Sequence, residues 1–269
     1  GEAVPHTPVW FMRQAGRSLP EYLALREGIA MLDACADPDL IVEITLQPVR
    51  RYGVDAAIFF SDIVIPLKLA GVGVDIVPGV GPVLEKPVRT AADVAALPQL
   101  TWEALEPIRE AVRLTVAQLG KTPLIGFAGA PWTILSYMVE GSGSKTFSAA
   151  KKVLYTQPAF AHQLLEMITQ STIRYLKAQI EAGADIIQIF DSWAGILSPE
   201  QYNEFALPYI SKICDAIDQV PKIVFAKGAF FARASMNSVA CDVVGLDWNM
   251  EIKESRQLIG PDKTLQGNL

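Results

Sequence analysis

Glu181-Ala182-Gly183-Ala184-Asp185-Ile186-Ile187-Gln188-Ile189-Phe190-Asp191-Ser192-Trp193 is the stretch on which the fold turns. Gly183 stands where a helix C-cap is expected, at the end of a segment that Gln157-Pro158 opens and that runs to about Ala182. Ile186 to Phe190 is then a short apolar run, suited to a strand covered on both faces. Polar residues follow it directly. The same phrase of helix, glycine and strand appears earlier, where Asp37-Pro38 opens a segment to about Tyr52, Gly53 ends it, and Ala56 to Phe60 reads as a strand.

Outward from these two units, seven candidate strands emerge: Val9 to Met12, Ala56 to Phe60, Leu124 to Phe127, Ile186 to Phe190, Ile223 to Ala226, Val243 to Leu246 and Thr264 to Gln266. Amphipathic segments separate them, one opened by Ser198-Pro199-Glu200, which is the pattern of βα units around a parallel sheet. Gly71 to Pro87 is rich in Gly and Pro and loses periodicity, so it reads as a long excursion that forms no separate domain. On spacing alone, an open doubly wound sheet accounts for these strands as well as a (β/α)8 barrel does.

The chain has 269 residues, 51% hydrophobic and 19% charged, enough to bury one large core as a single domain over residues 1–269. A formal charge of -6 offers no general attraction to nucleic acid or to an anionic membrane. The apolar runs are far shorter than the ~20 residues of a membrane span. Cys35, Cys214 and Cys241 are far apart and odd in number, so they suggest neither a disulfide framework nor a CxxC site. The expectation is a cytoplasmic protein acting on a small molecule.

Functional groups of parallel sheets and barrels collect at the C-terminal ends of strands. After the first run, Arg13 and Arg17 are four residues apart, with Gln14, Ala15 and Gly16 between them. Such a pair can share one side of a helical turn and grip carboxylates or phosphates; it can equally be two solvated surface arginines. Asp62 follows the apolar Phe59-Phe60 and suits either a turn or N-cap role or the stabilisation of a developing cation. Tyr137 and Ser192 are candidate hydroxyl donors after the third and fourth strands, and Tyr137 also fits a packed helical position. For Asp247 and Asn268 structural roles at loop starts are the expectation.

Several other readings find little support. Glu140 to Thr146 is glycine-rich, but Ser144 stands where a phosphate loop needs glycine before Lys145, so a mobile loop is the better reading. The two histidines, His6 and His162, lie far from Ser192, against a Ser-His-Asp triad.

Pro8-Val9-Trp10-Phe11-Met12-Arg13-Gln14-Ala15-Gly16-Arg17 with Leu19-Pro20-Glu21-Tyr22 closely resembles the N-terminal signature of uroporphyrinogen decarboxylases. The resemblance continues through Phe60-Ser61-Asp62-Ile63, Gly126 to Thr133, Tyr137 to Gly141, Phe205 to Tyr209, Gly245 to Trp248 and Leu265 to Leu269. It implies a (β/α)8 TIM-type barrel, usually a homodimer, that removes CO2 from the four acetate arms of uroporphyrinogen III to give coproporphyrinogen III. No metal and no organic cofactor is implied. The resemblance places Arg13 and Arg17 on substrate carboxylates, with Gln14, Ala15 and Gly16 in close contact. It sets Asp62 against the pyrrole N–H groups as transition-state stabiliser, and makes Tyr137 and Ser192 further ligands.

There are departures from the family pattern. Ser18 replaces a more usual aromatic residue, and Phe225 to Ser235 matches the fifth-strand loop poorly. Family members also continue past the position of Leu269 into a helix, an eighth strand and a histidine, so this chain is expected to lack that strand and a C-terminal segment. The rival of another reaction class is a zinc-dependent methyltransferase acting with a corrinoid protein, which shares the barrel. Its His-x-Cys plus Cys ligands have no counterpart near His6 or His162. A non-catalytic tetrapyrrole-binding protein is the other alternative, against which Asp62 speaks.

Overall fold

In the computed structural model, which describes residues 4–267, local chemistry sets the start and end of each unit. The Asp37 carboxylate accepts from the backbone N–H groups of Asp39 and Leu40 at 3.0 and 3.2 Å, and Pro38 follows at the first helical position. The helix runs Pro38–Tyr52 and stops at Gly53, which is left-handed at φ 61°. Strand β1 (Ala57–Ile58) comes next.

The hairpin β2 (Val74–Val77) and β3 (Gly81–Leu84) lies between β1 and β4 (Leu124–Gly129); then follow β5 (Ile186–Asp191), β6 (Lys222–Ala226), β7 (Val243–Gly245) and β8 (Thr264–Gln266). β1, β4, β5, β6, β7 and β8 form one six-stranded sheet in that order, every pair parallel. Each strand after β1 is added beside its predecessor, with no reversal of order. A doubly wound sheet needs such a reversal, so the topology is that of a TIM-type α/β barrel.

The sheet corrects the expected strand count. Val9 to Met12 is not a strand among the described residues. Its one ladder-like bond runs from the Asp55 N–H to the Val9 carbonyl at 3.0 Å, while the Val9 N–H is taken by the Asp55 carboxylate at 2.7 Å. The chain then turns, with the Gln14 N–H bonded to the Phe11 carbonyl at 3.1 Å, before a ladder can grow. The excursion after Gly71 is more ordered than expected. Its β2–β3 hairpin pairs Val74 with Leu84 and Val77 with Gly81, and Val74 and Leu84 are both buried. Gly81 and Pro82 interrupt the alternation that would have signalled a strand.

One helix is locked to the sheet by a single side chain. Gln179, on the Pro158–Glu181 helix, accepts from the Phe127 N–H at 3.0 Å and donates to the Phe127 carbonyl at 3.1 Å. A Cβ at Gly126 would stand 2.5 Å from the Gln179 Oε1, so the close approach requires glycine. The main core fills the space between sheet and helices and contains Trp132, Tyr175 and Tyr202 fully buried. A second apolar cluster of Ala56, Ile58, Ile125 and Phe127, with Trp10, Ile186 and Phe190 against it, packs on the other face of the sheet.

Candidate active site at the C-terminal ends of the strands

Asp62 follows β1, and three different elements hold the residues before it. The Phe59 N–H bonds to the Ile125 carbonyl at 2.9 Å, the Phe60 N–H to the Thr45 hydroxyl at 3.0 Å, and the Ser61 hydroxyl meets that of Tyr175 at 3.0 Å. Asp62 itself makes a turn: its Oδ1 accepts from the Val64 N–H at 3.0 Å. The turn reading of this residue is therefore correct and leaves room for the other, because no donor among the described residues reaches Oδ2. The carboxylate retains some contact with solvent, yet its surroundings are dense enough that burial raises its pKa, against the lowering effects of the Val64 N–H and the Arg13 charge.

The Arg13 to Arg17 segment is not a helical turn. It is two tight turns, closed by Gln14 N–H to Phe11 O at 3.1 Å and Leu19 N–H to Gly16 O at 3.0 Å. Gln14 is buried and holds the segment in place: its Oε1 accepts from the Phe11 N–H at 3.2 Å, and its Nε2 donates to the Ala56 carbonyl at 3.1 Å. Both ends of that amide are engaged with backbone, leaving little of it for a ligand. Ala15 packs against the core, and Gly16 has φ 155° with open space where a Cβ would be. Arg13 and Arg17 are exposed and have no carboxylate partner among the described residues. Arg13 is the one whose charge acts on both Asp62 and Tyr137.

Tyr137 lies on the Pro131–Glu140 helix and is buried. Its Oη accepts from the Trp193 indole N–H at 2.8 Å. An indole can only donate, so the phenol keeps its own proton for another acceptor. Burial pushes the Tyr137 pKa up, the Trp193 bond opposes this, the Asp62 charge adds to the rise and the Arg13 charge reduces it. Arg13, Asp62 and Tyr137 are thus within electrostatic reach of one another. Ser192 is half-buried just past the end of β5, its hydroxyl unbonded among the described residues.

Other sequence expectations resolve into structural roles. Asp247 is buried and accepts from the Gly228 and Asn249 N–H groups, as a loop-organising residue does. Asn268 lies outside the described residues. The segment read as a mobile loop is fastened: the Leu84 N–H bonds to Gly141 O at 2.9 Å, and Glu140 Oε2 accepts from Ala149 and Ala150 at the start of the Ser148–Thr156 helix. His6 pairs with Asp55 at 2.8 Å, and His162 stacks on Phe205 with its Nδ1 2.8 Å from the Tyr209 hydroxyl. Among the described residues no three His, Cys, Asp or Glu side chains are grouped as metal ligands.

Sequence reasoning gave no role to Thr133, Phe147 or Trp193. Thr133 accepts from the Trp193 backbone N–H at 3.1 Å, and the Phe147 ring lies 4.6 Å from that of Trp193 and 5.5 Å from that of Tyr137. Phe147 is fully buried at φ 45°, a left-handed conformation that is strained for a bulky residue. The available signal was general: a buried indole N–H needs an acceptor, and Trp193 follows a strand end.

Comparison with known proteins identifies the family of the chain. The family model described as "Uroporphyrinogen decarboxylase (URO-D)" matches residues 1–269. A uroporphyrinogen decarboxylase of Arthrobacter sp. is 59% identical over 264 residues, covering 97% of this chain and 76% of that protein. Those of Nocardioides sp. and Streptomyces avermitilis are 55% and 53% identical, each covering 100% of this chain and 78% and 76% of their own lengths. Among solved structures, a methyltransferase from Methanosarcina mazei superposes with a TM-score of 0.79 at 18% identity, over 99% of this chain and 79% of that one. That likeness is one of fold. With the family model matching residues 1–269 and relatives identical at more than half of their aligned positions, the chain belongs to the uroporphyrinogen decarboxylase family.

Proposed function

We propose that this chain removes CO2 from the four acetate side chains of uroporphyrinogen III, giving coproporphyrinogen III in tetrapyrrole synthesis, without a metal or organic cofactor. What supports the reading is that one Asp62 carboxylate oxygen and the Tyr137 hydroxyl proton are left without partners among the described residues, while the Arg13 charge acts on both groups. Loss of CO2 leaves an electron pair that needs a sink. Protonation of a pyrrole ring carbon supplies one as a cationic iminium. The C–C bond then breaks, its electrons neutralise the cation, a proton completes the new methyl group, and the ring proton departs. One proton is consumed for each CO2 released.

Asp62 faces the ring nitrogens as a fixed negative charge that favours the cation over the neutral substrate. Arg13 has two effects: it binds a substrate carboxylate and helps keep Asp62 ionised despite burial. Arg17 grips a second carboxylate, and Ala15 and Gly16 let the ligand approach the backbone between them. Gln14 acts chiefly by fixing the segment. The hydroxyls of Tyr137 and Ser192 donate to the substrate. A polyanion can bind a chain of net charge -6 because local arginines outweigh the distant charges.

No helix of the described residues is long and apolar enough to cross a membrane. A cytoplasmic homodimer is part of the proposal. The test is anaerobic incubation of the purified protein with uroporphyrinogen, with and without a chelator, followed by product analysis. Coproporphyrinogen at equal rates in both supports the proposal. Absence of decarboxylation, or its abolition by chelation, overturns it.

A further inference from the structure

Asp191 ends β5 immediately before Ser192 and is fully buried. Its Oδ1 accepts from the Thr133 hydroxyl at 2.7 Å, and its Oδ2 has no hydrogen-bond partner among the described residues. The equally buried Tyr202 hydroxyl also lacks one, and the Asp191 charge opposes its ionisation. Burial pushes the Asp191 pKa up to about 7, although the Thr133 bond lowers it. A carboxyl group in such surroundings is costly, and groups of this kind cluster at functional sites.

Its consequence is geometric. A threonine hydroxyl has one proton. Thr133 gives that proton to Asp191, which fixes the rotor and turns a lone pair toward the Trp193 N–H, 3.1 Å away. The other side of residue 193 is held too, since the Trp132 indole N–H donates to the Trp193 carbonyl at 3.0 Å. With its backbone fixed on both sides, Trp193 directs its indole N–H to Tyr137 Oη at 2.8 Å, and Phe147 supports both rings. The remaining Tyr137 proton can then point only away from Trp193.

We propose that Asp191 is a positioning residue of the decarboxylase, fixing the Tyr137 hydroxyl through Thr133 and Trp193; this rests on Tyr137 being a substrate ligand. Asp191 needs to be an acceptor in this role and does not need to be charged. Neither Asp191 nor Thr133 touches the substrate.

The test places Thr133→Val, Thr133→Ser and Asp191→Asn in the wild-type and Tyr137→Phe backgrounds, and measures kcat and KM for uroporphyrinogen beside thermal unfolding. Thr133→Val is expected to lower kcat by about tenfold in the wild-type background, with KM moving by less than about threefold. In Tyr137→Phe the same change should have no further effect, because the hydroxyl it positions is gone. Thr133→Ser keeps the donor and Asp191→Asn keeps the acceptor, so each should retain activity within about threefold. Equal losses from Thr133→Val in both backgrounds overturn the relay, as does Thr133→Val at wild-type activity. If Thr133→Val does not fold, a large loss in Thr133→Ser or Asp191→Asn overturns it instead, and retained activity in both supports it. A fully active Tyr137→Phe removes the assignment of Tyr137 as a ligand, and the proposal falls with it for a separate and recognisable reason.

Discussion

The Trp193 indole N–H and the Tyr137 hydroxyl oxygen are 2.8 Å apart although 56 residues separate them in sequence, and this bond settles which way the phenol proton can face. Trp193→Phe keeps a ring against Phe147 but frees the phenol. We expect kcat/KM to fall by about tenfold while stability drops by about 1 kcal/mol, the usual net worth of one hydrogen bond. Steady-state kinetics and urea denaturation on the same preparation check both.

Arg13 predicts a movement of the pH profile. In the proposed mechanism Asp62 must be ionised to favour the cation, and burial raises its pKa while the Arg13 charge lowers it. The acid limb of kcat/KM is therefore expected above the ordinary aspartate range. Arg13→Gln removes a lowering influence, so that limb should move to higher pH as well as KM rising. A profile that loses height without moving would contradict this electrostatic coupling.

Asp191 predicts a dependence of stability on pH. Its folded-state pKa is raised from 3.8 to about 7, so the fold favours the neutral acid. The stability it contributes is full below the unfolded value and is lost as pH rises toward 7. Asp191→Asn does not titrate, so its stability relative to wild type should improve between pH 4 and 7. The gain has an upper bound of about 4 kcal/mol at 1.36 kcal/mol per pKa unit. Urea denaturation across that range measures it, and a flat difference would show that Asp191 stays ionised.

Gly126→Ala tests how the longest helix is fastened. The added methyl would displace the Gln179 amide from Phe127, with an expected cost of about 1–3 kcal/mol for overpacking a tight contact. Thermal unfolding reads the loss.

The core of the fold was legible because β1, β4, β5 and β8 each follow a glycine, at 53, 120, 183 and 260, by a few residues, while β6 and β7 stand out as apolar runs alone. Ile186 to Phe190 and Thr264 to Gln266 appear where expected, the first extended to Asp191. Val9 to Met12 misled because its residues favour strands while Asp55 takes the N–H that a ladder would use. The β2–β3 hairpin was hidden by Gly81 and Pro82, residues that normally argue against a strand.

Of the proposed site, Asp62 and the arginines were singled out in the sequence by their place after apolar runs and by family resemblance. Gln14 looked like a ligand contact, and its engagement with Ala56, 42 residues away, could not be read locally. The set of Asp191, Thr133, Trp193 and Tyr137 joins the ends of β4 and β5 across about 60 residues of intervening chain. No sequence period carries such a contact.

In the proposed mechanism the fixed charge of Asp62 stabilises the ring cation. Anaerobic turnover of uroporphyrinogen by Asp62→Asn, beside wild type and with folding verified by thermal unfolding, tests it most directly. A fall in kcat of about 100-fold or more is expected, the scale associated with losing one preorganised electrostatic contact. Turnover near the wild-type rate in Asp62→Asn would contradict it.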